Sequence, residues 1–300
     1  MGRGVVAVVA GCVMAAVLLG GCVALLSGAG GAESGTSGPA GRESGPAVPS
    51  SWELLEQQAA EGCPGLAWPV LAAIGRVESD SGRSNAAGVA GGANFAGAEG
   101  PFQFEPATFK EYGVVGPGGA SPPSPYDPVD AIYSAAKMLC ADGAGQSSRL
   151  TAAIEDYNHS VSYVETVVVL AQALSADPDL PSDAATALGF AAQQLGVPYK
   201  WGGTGPGGFD CSGLTQAAYH DAGVDLPRVA QAQFDAGPAV PSGAEVEPGD
   251  LLFYGASTTE VEHVGIYVGA GDMIDAPHTG AVVREEPGDW SDFVGATRPG

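Results

Sequence analysis

The nine residues Ser175-Ala176-Asp177-Pro178-Asp179-Leu180-Pro181-Ser182-Asp183 carry two prolines and three acids, and they separate stretches of different hydrophobic period. Before them, apolar residues recur at helical spacing around 66–79, 106–112, 128–141 and 150–174, and no alternating strand intervenes. That half reads as all-α. After them, helical patterns at 183–196 and 211–222 give way to short apolar segments at 251–254, 263–268 and 273–275. The turns between these segments are Glu247-Pro248-Gly249-Asp250 and Gly269-Ala270-Gly271-Asp272. Helices followed by a run of strands make the chain α+β. The prolines of the divider are expected to let the halves work side by side without sharing a rigid cleft.

Ahead of the helical half, residues 5–26 form an uncharged apolar run of 22 residues behind Arg3. At about 1.5 Å per residue such a run can cross a bilayer. A basic start with an apolar core is equally the form of a signal peptide. Leu19-Gly20-Gly21-Cys22 resembles the lipobox of bacterial lipoproteins, which makes Cys22 a lipidation candidate. All three readings export the rest of the chain and leave the membrane as a partner of the N-terminal segment. The Gly/Ser/Pro/Ala-rich residues 27–50 read as a flexible tether. The expected organisation is therefore 1–26 leader or anchor, 27–50 linker, 51–174 first domain, 175–183 linker and 184–300 second domain.

A formal charge of −23, with 11 Lys+Arg, argues against nucleic acid, whose phosphates need basic patches. No His/Cys/Asp cluster has metal-ligand spacing, so neither a metal nor another cofactor is expected. Of the five cysteines, Cys12 and Cys22 belong to the leader. In an oxidising exterior Cys63 and Cys140 are the natural pair, and closing so long a loop contributes about 4 kcal/mol on the chain-entropy model. Cys211 is the odd thiol, and an unpaired cysteine in an exported chain points to use.

Cys211 sits where chemistry is favoured. A glycine-rich run, 202–208, leads into Phe209-Asp210-Cys211-Ser212-Gly213-Leu214, and Leu214, Ala218 and Ala222 then recur at helical spacing. Asp210 is a good N-cap, which puts Cys211 in the first turn beside unpaired N–H groups that favour a thiolate. The charge of Asp210 itself works against that. A base is available at His263, which opens the strand His263-Val264-Gly265-Ile266-Tyr267-Val268 and faces away from Val264, Ile266 and Val268. The third, orienting group is Asp275 or His278. A three-residue loop at 269–271 pairs Gly265 with Asp275, whereas a two-residue loop at 270–271 puts His278 opposite His263. Pro277 disfavours carrying the strand on to His278, which favours Asp275.

Residues 184–286 resemble the NlpC/P60 family of bacterial cell-wall cysteine peptidases. The resemblance is carried by Pro198-Tyr199-Lys200-Trp201-Gly202-Gly203, Asp210-Cys211-Ser212-Gly213, Leu226-Pro227-Arg228, Pro248-Gly249-Asp250-Leu251-Leu252-Phe253 and His263-Val264-Gly265-Ile266-Tyr267-Val268-Gly269, in family order. It implies a papain-like α+β domain in which Cys211 and His263 cleave peptidoglycan stem peptides, typically between D-glutamate and the diamino acid. It also implies Asp275 as third catalytic residue, although the family more often has His, Asn, Gln or Glu there. Tyr199, Asp210 and Ser212 match substrate-cleft and nucleophile-flanking positions.

In the first domain, Val70, Ile74 and Glu78 fall at successive i, i+4 positions of one helix, so Glu78 ends an apolar stripe. Burial away from a cation keeps such a carboxyl protonated near neutrality, as a general acid requires. Cys63-Pro64, Gly100-Pro101-Phe102-Gln103-Phe104, Asp127-Pro128-Val129-Asp130-Ala131-Ile132 and Asp156-Tyr157-Asn158-His159-Ser160 resemble the soluble lytic transglycosylases, whose fold is lysozyme-like. The resemblance covers about 60–174 and implies that Glu78 alone protonates the glycosidic oxygen and then activates the muramate 6-hydroxyl, giving an anhydro sugar. Gln103, Tyr157 and Asn158 match cleft residues. Asp156, replacing a small residue, is expected to push the Glu78 pKa further up, while His159 and His220 read as structural or exposed. The combined expectation is an exported peptidoglycan hydrolase of the bacterial envelope with two chemistries. Rivals are a silent wall-binding protein and a cysteine-domain amidase or acyltransferase.

Overall fold

A computed structural model describes residues 50–300, with side chains from Trp52 onward; the leader with Cys22 and the tether up to residue 49 lie outside the described residues. The first half is helical: α1 Ser50–Glu61, α2 Trp68–Ser79, α3 Pro106–Tyr112, α4 Pro128–Ala141, α5 Leu150–Tyr157 and α6 Val161–Ala176. Helix α2 carries Pro69 in its first turn, buries Val70, Leu71 and Ile74, and ends at Asp80 in the left-handed conformation. Asp127 caps α4 by accepting from Val129 and Asp130 N–H groups. Cys63, after α1, and Cys140, in the last turn of α4, form a disulfide with Cα atoms 5.6 Å apart.

The helical pattern at 150–174 is two helices rather than one. Asn158 leaves helical geometry, its side-chain oxygen accepts from Ser160 N–H, and the Ser160 hydroxyl caps α6 through Tyr163 N–H. Side-chain bonding to nearby backbone competes with helix continuation here.

The second half opens with α7 Ser182–Gln193, α8 Cys211–Asp221 and α9 Ala230–Ala236. A five-stranded antiparallel sheet completes it: β1 Leu251–Ser257, β2 Glu260–Gly269, β3 Asp272–Asp275, β4 Arg284–Pro287 and β5 Phe293–Thr297, in the order β4-β3-β2-β1-β5. Val264, Ile266 and Val268 are buried on the face that meets the helices. The opposite face carries a smaller cluster of Leu252, Tyr254, Met273 and Ala296, with Tyr267 and Trp290 packed on it.

The two halves pack on one another. Helix α6 runs to Ala176, and one continuous core includes Leu170 and Leu174 of α6, Leu188 of α7 and Ile266 of β2. A helix apolar on nearly every side must bury more than one face; α6 packs against α2 on one side and α7 and β2 on another. The divider itself is tied down. Leu180 is buried, and its carbonyl accepts from the two terminal guanidinium nitrogens of Arg76 at 3.3–3.4 Å. Gln172 Nε2 reaches Gly269 O at 3.3 Å across the junction.

Candidate active site

Glu78 stands at the C-terminal end of α2, half-buried, and accepts a hydrogen bond from Tyr163 Oη at 2.8 Å. Burial pushes its carboxyl up to about 7, against the opposing pull of the Tyr163 bond. At neutrality a substantial fraction is therefore the acid form. Tyr163 is not among the residues expected at this site, because an unbroken helix gives no reason to turn it toward α2. It stacks on Tyr157 with ring centroids 6.5 Å apart, and burial together with the Glu78 charge holds both phenols well above their ordinary range.

The other residues expected beside Glu78 are engaged by the protein. Tyr157 Oη donates to Phe102 O at 2.7 Å. Gln103, with a left-handed φ of 46°, donates to Gly100 O and accepts from Asn94 Nδ2. Asn158 forms the break between α5 and α6. The expectation for Asp156 is corrected: it is exposed and is not among the causes of the Glu78 shift, and its charge acts on Asp142 instead. Ser79 ties α2 to the next loop by donating to Pro101 O at 2.7 Å.

At α8, Asp210 is the N-cap, and its Oδ1 accepts from Gly213 N–H at 2.7 Å. Its Oδ2 accepts from Gly202 N–H at 2.9 Å, and Arg228 binds both oxygens at 2.9 and 2.7 Å. Arg228 also donates to Ser212 Oγ at 3.1 Å. Asp210 and Ser212, expected at the substrate, are both buried and bonded inward. The Arg228 guanidinium offsets the charge that was expected to disfavour a thiolate next door. A Cβ on Gly213 would lie 2.0 Å from Gly203 O, so only glycine lets the 202–208 loop lie against the start of α8. Buried Gln233 completes the brace by donating to Ser212 O and Pro227 O, each at 2.9 Å.

This frame holds Cys211, the free cysteine among the described residues, at the first helical position. His263 reaches it from β2. The pairing of Ile266 with Ile274 and of Tyr267 with Met273 is the inner register that a turn at 269–271 implies, with a bulge at Gly269. Asp275 thereby falls on the His263 face, fully buried, with Oδ2 2.7 Å from Nε2. His278 is exposed and bonded to Thr279 O. With Nε2 committed to Asp275, Nδ1 is the nitrogen left for Cys211, which is within hydrogen-bonding reach of the ring. Burial pushes the imidazole pKa down, but its bonds to Asp275 and Cys211 and their charges outweigh that and hold it at about 9. An imidazolium thus stands beside the sulfur at neutral pH, the arrangement that activates a cysteine nucleophile.

Residues 196–292 match the family model of the NlpC/P60 family. The second half carries an NlpC/P60 domain. A probable endopeptidase of Mycobacterium tuberculosis is 44% identical over 102 residues, 34% of this chain and 25% of the relative. A probable endopeptidase of Corynebacterium glutamicum is 41% identical over 109 residues, 36% of this chain and 50% of the relative. The chain thus spans at most half the length of these two relatives. The solved peptidoglycan hydrolase RipB of Mycobacterium tuberculosis is 33% identical over 41% of this chain and 67% of that one, with a TM-score of 0.36.

Two features of the NlpC/P60 site have no counterpart among the residues expected from sequence. Trp290, between β4 and β5, stacks on His263 with ring centroids 5.0 Å apart and an interplanar angle of 20°. Tyr254 of β1 tilts against the same imidazole at 5.9 Å and anchors itself on Gly288 O at 2.7 Å. Tyr199 borders the thiol: burial and the charges of Cys211 and Asp210 raise its phenol pKa, so it remains a hydrogen-bond donor. Among the described residues no group of His, Cys, Asp and Glu has the geometry of a metal site.

Proposed function

We propose that the chain is an exported peptidoglycan hydrolase whose NlpC/P60 domain is a cysteine endopeptidase of stem peptides. The observation that carries this reading is the imidazole of His263 held between Cys211 and buried Asp275. Cys211 attacks the carbonyl of the scissile amide, and its own N–H at the α8 terminus faces the developing oxyanion. His263 gives its proton to the leaving amine, then takes one from water as the thioester is hydrolysed. Asp275 orients the ring and stabilises its charge throughout. The D-glutamate–diamino acid bond is the substrate that the family resemblance favours.

The helical half adds glycan-strand cleavage in this proposal. Its support is a carboxyl in an apolar setting with a pKa near 7, fitted to give and then retake a proton. The disulfide favours an oxidising compartment and so supports export, while attachment is proposed from the apolar run at residues 5–26. Purified sacculi digested with the wild type, Cys211→Ala and Glu78→Gln, and read by mass spectrometry, test both activities. Loss of cleaved stems alone in the first variant and of anhydromuropeptides alone in the second supports the proposal. Binding of sacculi without any soluble product from the wild type refutes it.

A further inference from the structure

Behind Asp275 the sheet edge holds a second carboxyl group for which acyl transfer has no direct use. In the β3–β4 pairing Met273 stands opposite Glu286 and Asp275 opposite Arg284. Asp275 and Glu286 are therefore diagonal neighbours on the sheet face that also bears His263. Their carboxyl groups lie within hydrogen-bonding reach of one another. Asp275 commits Oδ2 to His263, and Glu286 commits Oε2 to Arg284 at 2.8 Å. What remains is Asp275 Oδ1 and Glu286 Oε1, two buried oxygens with no N–H or O–H partner.

Two ionised carboxylates offer each other only acceptors, whereas one proton between them satisfies both orphaned oxygens. Asp275 already spends its other oxygen on the His263 ring, 2.7 Å away, which leaves Glu286 as the donor of the pair. We propose that Glu286 is a positioning residue, a protonated carboxyl that donates to Asp275 Oδ1 and so fixes the rotamer presenting Oδ2 to His263. The sequence Cys211, His263, Asp275, Glu286 then forms one hydrogen-bonded line from the helix terminus to the sheet edge. Burial raises the Glu286 carboxyl, the Arg284 bond opposes this, and the Asp275 charge adds to the rise. The groups facing this pair are His263 from β2, Tyr254 from β1 and Arg284 from β4, with Cys211 beyond the imidazole.

This inference rests on Cys211 being the nucleophile, and its test needs no peptidoglycan. The full-length protein is alkylated with iodoacetamide across the neutral range, and the modified peptide is mapped to Cys211. Glu286→Gln keeps both contacts, because its amide N–H₂ donates to Asp275 and its carbonyl accepts from Arg284. Its rate is expected to stay within about twofold of the wild type. Glu286→Leu orphans Asp275 Oδ1 and is expected to slow alkylation on the order of tenfold. The infrared difference spectrum between wild type and Glu286→Gln is expected to show the C=O stretch of one protonated carboxyl. Equal rates in the Gln and Leu variants, or a difference spectrum without that band, overturn the assignment. Intact alkylation behaviour with no stem-peptide cleavage by the wild type would instead remove the peptidase reading and leave Glu286 standing.

Discussion

Replacing Asp275 by Asn tests how the imidazolium is maintained. Asp275 is fully buried, and its 2.7 Å contact with His263 Nε2 is the leading contribution holding that ring at about 9 against burial. A hydrogen bond to a charged group contributes about 1.5–3 kcal/mol, and one pKa unit corresponds to about 1.4 kcal/mol. Losing the charge should therefore lower the His263 pKa by about 1–2 units, to about 7–8. The same loss, felt in the transition state, corresponds to a fall of about 10- to 150-fold in kcat. The assay is a titration of the His263 ring carbon by NMR in the wild type and Asp275→Asn, beside turnover of a synthetic stem peptide. The sign is fixed: the folded-state pKa is raised, so the wild type keeps its proton through neutrality and loses it, with activity, as pH rises through about 9. A variant whose imidazole still titrates near 9 would show that Asp275 is not what holds the charge.

Other perturbations draw on the same geometry. Trp290→Leu removes a ring stacked on the imidazolium, an interaction of about 0.5–2 kcal/mol, so the alkaline limb of kcat/KM should move down by about 0.4–1.5 units. The glycan cleavage proposed above should fall as pH rises through about 7, where Glu78 loses its proton. Tyr163→Phe removes a bond that favours the carboxylate and should shift that limb upward, and a limb that stays or moves down would contradict the assigned cause. The double variant Cys63→Ser/Cys140→Ser opens a cross-link between residues 77 apart. It should cost about 4 kcal/mol, or roughly 8–16 °C in Tm for a unit of this size, measured by calorimetry under oxidising conditions.

What can be read from the sequence is local. The start of α8 is set by Asp210, and the facing of His263 and Asp275 by the turn at 269–271, because alternation along a strand leaves few choices once a hairpin closes. Strand β4 is hidden because Arg284-Glu285-Glu286-Pro287 is charged and ends in proline, as an edge strand should be, and carries no apolar period. With β4 go Glu286 and the loop that brings Trp290 over His263. The Arg228–Asp210 pair and the Tyr163–Glu78 bond span 18 and 85 residues, and nothing in residue spacing announces such contacts. The packing of the two halves is hard to read for a different reason. Prolines at 178 and 181 mark where a helix must stop, but not whether the stretch between them is buried, and Leu180 is.

The most direct test of the account is the identity of the covalent intermediate. Full-length protein mixed with a synthetic stem peptide, quenched in acid within the first turnovers and digested, should yield a thioester between the N-terminal part of the peptide and Cys211. Cys211→Ala should yield neither adduct nor cleaved peptide. Cleavage that persists in Cys211→Ala, or an adduct mapped to any other residue, would contradict it.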